Sequence, residues 1–413
     1  MYALIAMALA LTLLVVLLRL KVKLGRSMLL SSIALAVLLG VSPSEFLHAV
    51  VYEWHNKPLN QTTGYLFVTL TVLVISVNVL GGAMKETGVS QRLVPALQGL
   101  FRSRRFALAV IPMMMGMLPT PGGIMLSAPM VRDLGDRIGV KRDRLAAINF
   151  FFRHQWESVW PLFPAVPLIQ SMFGISAFVL ISHNIVIMLS GILGGVIFLL
   201  LSGIPPRDRK KQFHGRFADN IRNFIHAFWP IVMVAALYAS FNLPPAVTIL
   251  LAILIFLILH KVPLNRWATL FKSGAEPDFA LLILGALLFK LNLEAGQAIP
   301  SVVEFFTEMN VPPNFLIFFL PLLVGFLTGV TMPTVAITFP FLMPFIGTGQ
   351  ETKVELETLA FSGLICGLFL TPVHLCMTLS ASYFEAPLMR IVLKILGPVI
   401  FVAAAGVLAA LLL

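Results

Sequence analysis

Twelve apolar segments follow one another along this chain, most of them long enough to cross a bilayer, and they leave the backbone almost no choice of fold. Hydrocarbon offers no water to pair a peptide N–H or C=O, so a spanning segment must satisfy its own backbone as a helix. The segments lie at about 2–20, 27–51, 64–84, 106–135, 144–173 and 175–203, and again at 222–242, 245–260, 278–293, 313–346, 354–385 and 387–413. The predicted class is therefore an all-α polytopic membrane protein. Composition agrees, because 59% of the 413 residues are hydrophobic and only 11% are charged, outside the soluble globular range. The net charge of +11 then reads as basic cytoplasmic loops and not as a nucleic-acid surface. Arg19, Lys21, Lys23 and Arg26 follow the first segment instead of preceding it, which predicts a retained span with an outside N-terminus and no cleaved leader.

A polar stretch from Pro205 to Asn220, holding Arg207, Arg209, Lys210, Lys211 and Arg216, separates two sets of six segments. The chain reads as a duplication, with a first repeat at 1–203, a cytoplasmic basic linker at 204–221 and a second repeat at 222–413. Landmarks recur in one order. "KETG" from Lys85 answers "LEAG" from Leu293, Gly116 answers Gly325, and "WP" at Trp160 answers "TP" at Thr371, at offsets of 208, 209 and 211 positions. Internal repetition of this kind is a mark of secondary transporters.

Prolines and glycines interrupt each repeat twice. "PTPGG" (Pro119 to Gly123) divides 106–135 into arms of about 20 Å, too short for a hydrocarbon core about 30 Å thick. The prediction is a re-entrant hairpin at 106–135, matched at 313–346 around "TGVTMPT" (Thr328 to Thr334). The next segments are broken helices: 144–173 with its break at "WPLFPAVP" from Trp160, and 354–385 with its break at "TPVH" from Thr371. Proline removes a donor and blocks a preceding carbonyl, and such backbone survives at membrane depth only inside protein or beside water. With hairpins excluded each repeat crosses five times, and an odd number makes the repeats inverted. Of the 29 Lys and Arg, all but Lys57, Lys353, Arg153 and Lys290 then fall in cytoplasmic loops. The expected location is the inner membrane, with both termini outside.

Helix ends at the four breaks favour anions at their amide ends and cations at their carbonyl ends. The candidate substrate site accordingly comprises Thr120, Pro121, Gly122 and Gly123 at the first tip, Thr331, Pro333 and Thr334 at the second, Thr371 and Pro372 at the last break, and Asn149 and Arg153. In "NFFFRHQWESVWP" the residues Asn149, Arg153 and Glu157 recur at four-residue spacing and are expected on one helical face, with Arg153 a bidentate partner for an anion. The blander reading of Arg153 and Glu157 is an internal ion pair that fixes the helix. Ion coupling is assigned to Thr120, His154, Glu157, Thr328, Thr371 and His374, whose hydroxyls suit a sodium ion and whose imidazole or carboxyl groups suit a proton. His374 is expected either to line the site or to cap exposed carbonyls. Lys290 is expected to snorkel or to pair with Glu294, and His183, Asn184, Ser76 and Asn78 to serve as hydrogen-bond partners between helices. Cys366 and Cys376, about 15 Å apart on a straight helix, read as packing residues beyond disulfide reach. No phosphate-binding GxxxxGK[ST] motif, HExxH or CxxC occurs, so no enzyme and no cofactor beyond sodium is expected.

On its repeat, hairpins and broken helices, over nearly the whole chain, the sequence resembles the ion-transporter superfamily. That group includes divalent anion:sodium symporters, citrate and gluconate permeases and sodium/proton antiporters, and the likeness is nearest to an uncharacterised ten-span integral membrane family within it. The resemblance implies a homodimer with scaffold spans at 2–51 and 222–260 and an elevator motion of the remaining elements. Sodium-coupled dicarboxylate members carry Ser-Asn-Thr motifs at the hairpin tips; "PTPGG" and "TGVTMPT" keep threonines and lack the asparagine. The expected function is secondary transport of a small organic anion driven by sodium or protons. A sodium/proton antiporter on the same fold is the alternative, and a non-transporting membrane protein or intramembrane enzyme is the rival from another class.

Overall fold

A computed structural model describes residues 2–89, 96–97, 100, 103–117, 123–202, 204 and 217–412, and among these every regular element is helical. The first half contains α1 (Tyr2–Arg19), α2 (Leu24–Leu39), α3 (Pro43–Asn56), α4 (Thr63–Glu86), α5 (Arg104–Gly116), α6 (Ile124–Asp136), α7 (Arg142–Arg153), α8 (Ala165–Phe173) and α9 (Ala177–Gly195), the last continuing as a π-helix to Leu201. The second half contains α10 (Phe217–Phe241), α11 (Pro245–Leu259), α12 (Leu264–Gly274), α13 (Pro277–Ala295), α14 (Ala298–Glu308), α15 (Pro313–Thr328), α16 (Thr331–Ile346), α17 (Val354–Leu370), α18 (Leu375–Phe384) and α19 (Leu388–Leu412). Among the described residues, six stretches are long and apolar enough to cross a membrane, and up to eight if each of two bent pairs is one span. The chain is a membrane protein.

Two expected spans are bent. The segment 27–51 turns through 111° between α2 and α3. Gly40 closes α2 in the left-handed region at φ 70°, and Ser42 and Glu45 cap α3 reciprocally with Pro43 at its first position. A helix stop followed at once by a helix start cannot continue straight. The segment at 278–293 likewise runs on beyond its expected end, and α13 and α14 meet at 72° across Gln297, itself at φ 50°. The short helix α12 was not expected at all.

Lipid gives helices little hydrophobic reason to associate, so close backbone packing and polar contacts do that work. α15 lies along α17, where Gly363 and Gly367 form a GxxxG pair. A Cβ at either would sit 2.1 Å from a carbonyl oxygen, of Phe318 or of Leu322. α2 lies along α13, and Asn292 of α13 donates to the Ser32 carbonyl at 3.0 Å. Asn78 and Asn184 bridge helices as expected, Asn78 donating to the Gly274 carbonyl at 3.3 Å and Asn184 to Glu357 at 3.3 Å.

Four charges close a ring beside α3 and α13. Lys290 Nζ lies 3.1 Å from Glu53 Oε1 and 2.9 Å from Glu294 Oε1, while Lys57 Nζ lies 3.0 Å from Glu53 Oε1 and 3.0 Å from Glu294 Oε2. The remaining Glu53 oxygen accepts the Thr63 amide at 2.9 Å. Lys290 thus pairs with Glu294 as its spacing suggested, and Glu53 is a second partner that spacing could not reveal.

Candidate functional site at the helix breaks

The first broken helix ends earlier than its prolines imply. α7 stops at Arg153, the chain turns through 154–164, and α8 resumes at Ala165. Side chains explain the early stop by taking over the last carbonyls: His154 Nδ1 meets the Phe150 oxygen at 2.7 Å and Gln155 Nε2 donates to Phe151 at 2.7 Å. Trp156 Nε1 donates across to Met113 of α5 at 2.8 Å. The break is therefore not confined to Trp160 onward, and Glu157 does not share a helical face with Asn149 and Arg153; it lies beyond the helix end. The second broken helix matches its expectation, with α17 ending at Leu370 and α18 beginning at Leu375 around Thr371 to His374. Between α15 and α16 the interruption is only Gly329 and Val330, so Thr331, Pro333 and Thr334 form the first turn of α16.

Two glycines bring these breaks into contact. Gly116, the last residue of α5, lies so close to α7 that a Cβ would be 1.9 Å from the Arg153 carbonyl oxygen. Gly329 at φ 68° lets the chain leave α15 against the His374 backbone, 3.1 Å from where its Cβ would be.

Around them lies a cavity of about 220 Å³, lined by Arg153, His154, Glu157, Thr331 and His374 together with Gly116, Phe163, Pro164, Met332, Leu375 and Cys376. Larger clefts of about 540 and 600 Å³ lie elsewhere and include none of these side chains. Chemistry, not size, singles out the smaller one. Arg153, His154, Glu157 and His374 are all buried. Arg153 donates to the Met115 carbonyl at 2.8 Å and so caps the carbonyl end of α5. Glu157 Oε1 lies 3.9 Å from His154 Nε2. His374 Nδ1 meets the Gly329 carbonyl at 2.7 Å, and the two Nε2 atoms of His154 and His374 face each other at 3.1 Å. His374 lines the cavity and caps the carbonyl end of α15.

Two helix starts also contribute to the lining. Thr331 and Met332 open α16, and Leu375 and Cys376 open α18. First-turn amides have no acceptor within their own helix and carry the positive end of the macrodipole, so this part of the wall favours an anion.

Other expected site residues are packed away from the cavity. Asn149 is buried and bonded to Ser127 at 2.6 Å and Ser380 at 3.5 Å. Thr328 and Thr334 bond each other at 2.9 Å, and Thr334 also donates to the Val330 carbonyl at 2.8 Å. Thr371 is buried and accepts the Val373 amide at 3.3 Å, Pro372 is exposed, Pro333 is buried in α16, and Gly123 directly precedes α6. Thr120, Pro121 and Gly122 lie outside the described residues.

Two residues escaped sequence reasoning. Cys376, which reads from sequence as a packing residue, lines the cavity two residues after His374; its place directly after a break is the available signal. Glu357 is fully buried in α17, where Asn184 is its bonded partner and its Oε2 has no hydrogen-bond partner among the described residues.

The possible ligand atoms of His154, His374 and Cys376 all lie within 4.8 Å of one another. No curated protein matches the sequence. The family described as "Protein of unknown function (DUF401)" matches residues 3–413, and with that span the chain belongs to it.

Proposed function

We propose that the chain is a secondary active transporter of a small organic anion of the carboxylate type, working by alternating access around the helix breaks. The observation that carries this reading is the cavity itself: buried Arg153 and the opening turns of α16 and α18 converge on one space at the interruptions of the helices. Ionisable groups at membrane depth are costly and default to function, and an arginine sharing a cavity with amide ends is suited to a carboxylate.

The reading includes two inverted repeats whose hairpins, α5–α6 and α15–α16, re-enter from opposite faces. Corresponding glycines support it. Gly116 packs on the Arg153 carbonyl of the following broken helix, and Gly325 has the Leu364 carbonyl of its own following broken helix 2.9 Å from a Cβ position. Cross-packing is matched as well, since α2 lies on α13 and α4 on α11. By the resemblance noted above, the transporter works as a homodimer by an elevator motion.

The test is uptake by purified protein in liposomes, offered a panel of labelled carboxylates under imposed sodium or proton gradients. Accumulation of one acid supports the reading. Sodium-driven proton flux with no organic solute favours the antiporter, for which the proximity of Glu157 to His154 is the specific observation.

A further inference from the structure

We propose that His154 and His374 hold a single proton between their Nε2 atoms, and that this shared proton is the coupling ion; the second half rests on the transport reading above. Four contacts carry the first half. Each Nδ1 faces a backbone carbonyl at 2.7 Å, Phe150 for His154 and Gly329 for His374. A carbonyl only accepts, so both Nδ1 atoms bear hydrogen and donate. A neutral imidazole with hydrogen on Nδ1 has a bare lone pair on Nε2. Two such lone pairs would then oppose each other at 3.1 Å, with ring centroids 4.7 Å apart. One added proton turns that opposition into a charge-assisted N–H···N bond at ordinary hydrogen-bond distance.

Helix ends of both signs surround the pair: the amide starts of α16 and α18 disfavour a positive charge, and two carbonyl ends favour it. α7 ends at Arg153 and α15 ends at Thr328, so two carbonyl-rich helix termini meet at the pair. The charged or titratable groups facing it are Arg153 and Glu157 from the α7 side and Cys376 from α18. Glu157, 3.9 Å from His154 Nε2, is the nearest carboxyl group to take the proton away.

The shared proton also works as a staple. His154 belongs to the first break, and His374 belongs to the second while gripping the hairpin turn at Gly329. Proton loss leaves two facing lone pairs that push these breaks apart, and proton gain draws them together. Occupancy by a proton is thereby tied to the spacing of the elements that form the anion wall.

Histidine-selective ¹⁵N labelling of the purified protein tests the pair directly. The expected signature is two Nε2 resonances coupled to each other across one proton; in His374→Asn the coupling disappears and the His154 Nε2 remains as a single uncoupled resonance. Asparagine can still donate to the Gly329 carbonyl from the Nδ1 position, which keeps the helix cap. A stoichiometric metal in the purified protein, with the coupling absent until it is chelated, would overturn the shared proton, as would two uncoupled nitrogens. In liposomes, accumulation by wild type should respond to an imposed proton gradient and in His374→Asn should not; a response retained in the variant overturns the coupling role. If wild type shows the nitrogen coupling but transports no solute, the transport reading fails and the proton pair stands.

Discussion

Two clusters of buried charge sit in this membrane protein, and they are built on opposite principles. In the ring of Glu53, Lys57, Lys290 and Glu294 every charge touches two of opposite sign. In the break cluster, Arg153, His154, Glu157 and His374 line a common space and also serve as caps for helix ends. Burial separates them only in part, since Lys290 and Glu53 are as buried as His154 and Glu157, while Lys57 and Glu294 are about a quarter exposed. What differs is the setting: the ring closes on itself, whereas the groups of the break cluster also line a cavity. A closed ring fixes α3 against α13; the break cluster instead borders a cavity of about 220 Å³ at the interruptions of the helices.

Substitutions can break that contrast. Lys290→Met should give the largest loss of stability, about 3 kcal/mol, because it removes the more buried of the two cations paired with Glu53 and leaves only the partly exposed Lys57. Thermal unfolding in detergent would measure it, while uptake per folded molecule should stay at the wild-type level. A transport defect at normal stability would erase the distinction between the clusters. Arg153→Ala should behave the other way, cutting uptake by about 100-fold, roughly 2.7 kcal/mol of binding, with a much smaller fall in melting temperature. Gly116→Ala comes next, since its methyl would press on the Arg153 carbonyl and the two helices must separate. The expected cost is about 1–3 kcal/mol of stability, with weakened uptake because Arg153 shifts with its backbone.

The smallest effect is alkaline. Burial alone would lower the Lys57 ammonium, but Glu294 and Glu53 outweigh it and hold its pKa above the ordinary 10.5. A folded value above the unfolded one means that this stabilisation is complete below about pH 10.5 and fades as pH rises through the folded value. Melting curves at rising pH should lose a component that Lys57→Met already lacks; identical alkaline slopes in the two proteins would show that the ring is not sensed at Lys57.

The contrast between the clusters also marks how far the sequence could be read. Helix positions followed from apolar length, and the second break was legible because Pro372 fixes it between Thr371 and His374. The first was misplaced because side chains end α7, not a proline: His154 and Gln155 cap its carbonyls, and nothing in "FFFRHQW" announces that. The bend after α2 was readable in "GVSPSE", a helix stop joined to a capping box, but the apolar run on both sides hid it. Arg153, His154, Glu157, Thr331 and His374 do meet, as their places at the breaks implied. The hydroxyls of Thr328, Thr334 and Thr371 instead satisfy local backbone or each other, which residue type alone does not disclose. Glu53 finds Lys290 across 237 positions of sequence, beyond any local pattern.

Cys376 offers the most direct measurement of alternating access, since it lines the cavity while the other cysteine, Cys366, is buried. In a Cys366→Ala protein reconstituted into liposomes, a membrane-impermeant maleimide should reach Cys376 from either side of the bilayer, and the transported acid should slow labelling from both. Labelling confined to one side under every gradient, or unaffected by any acid that enters the liposomes, would contradict a cavity that turns from one face of the membrane to the other.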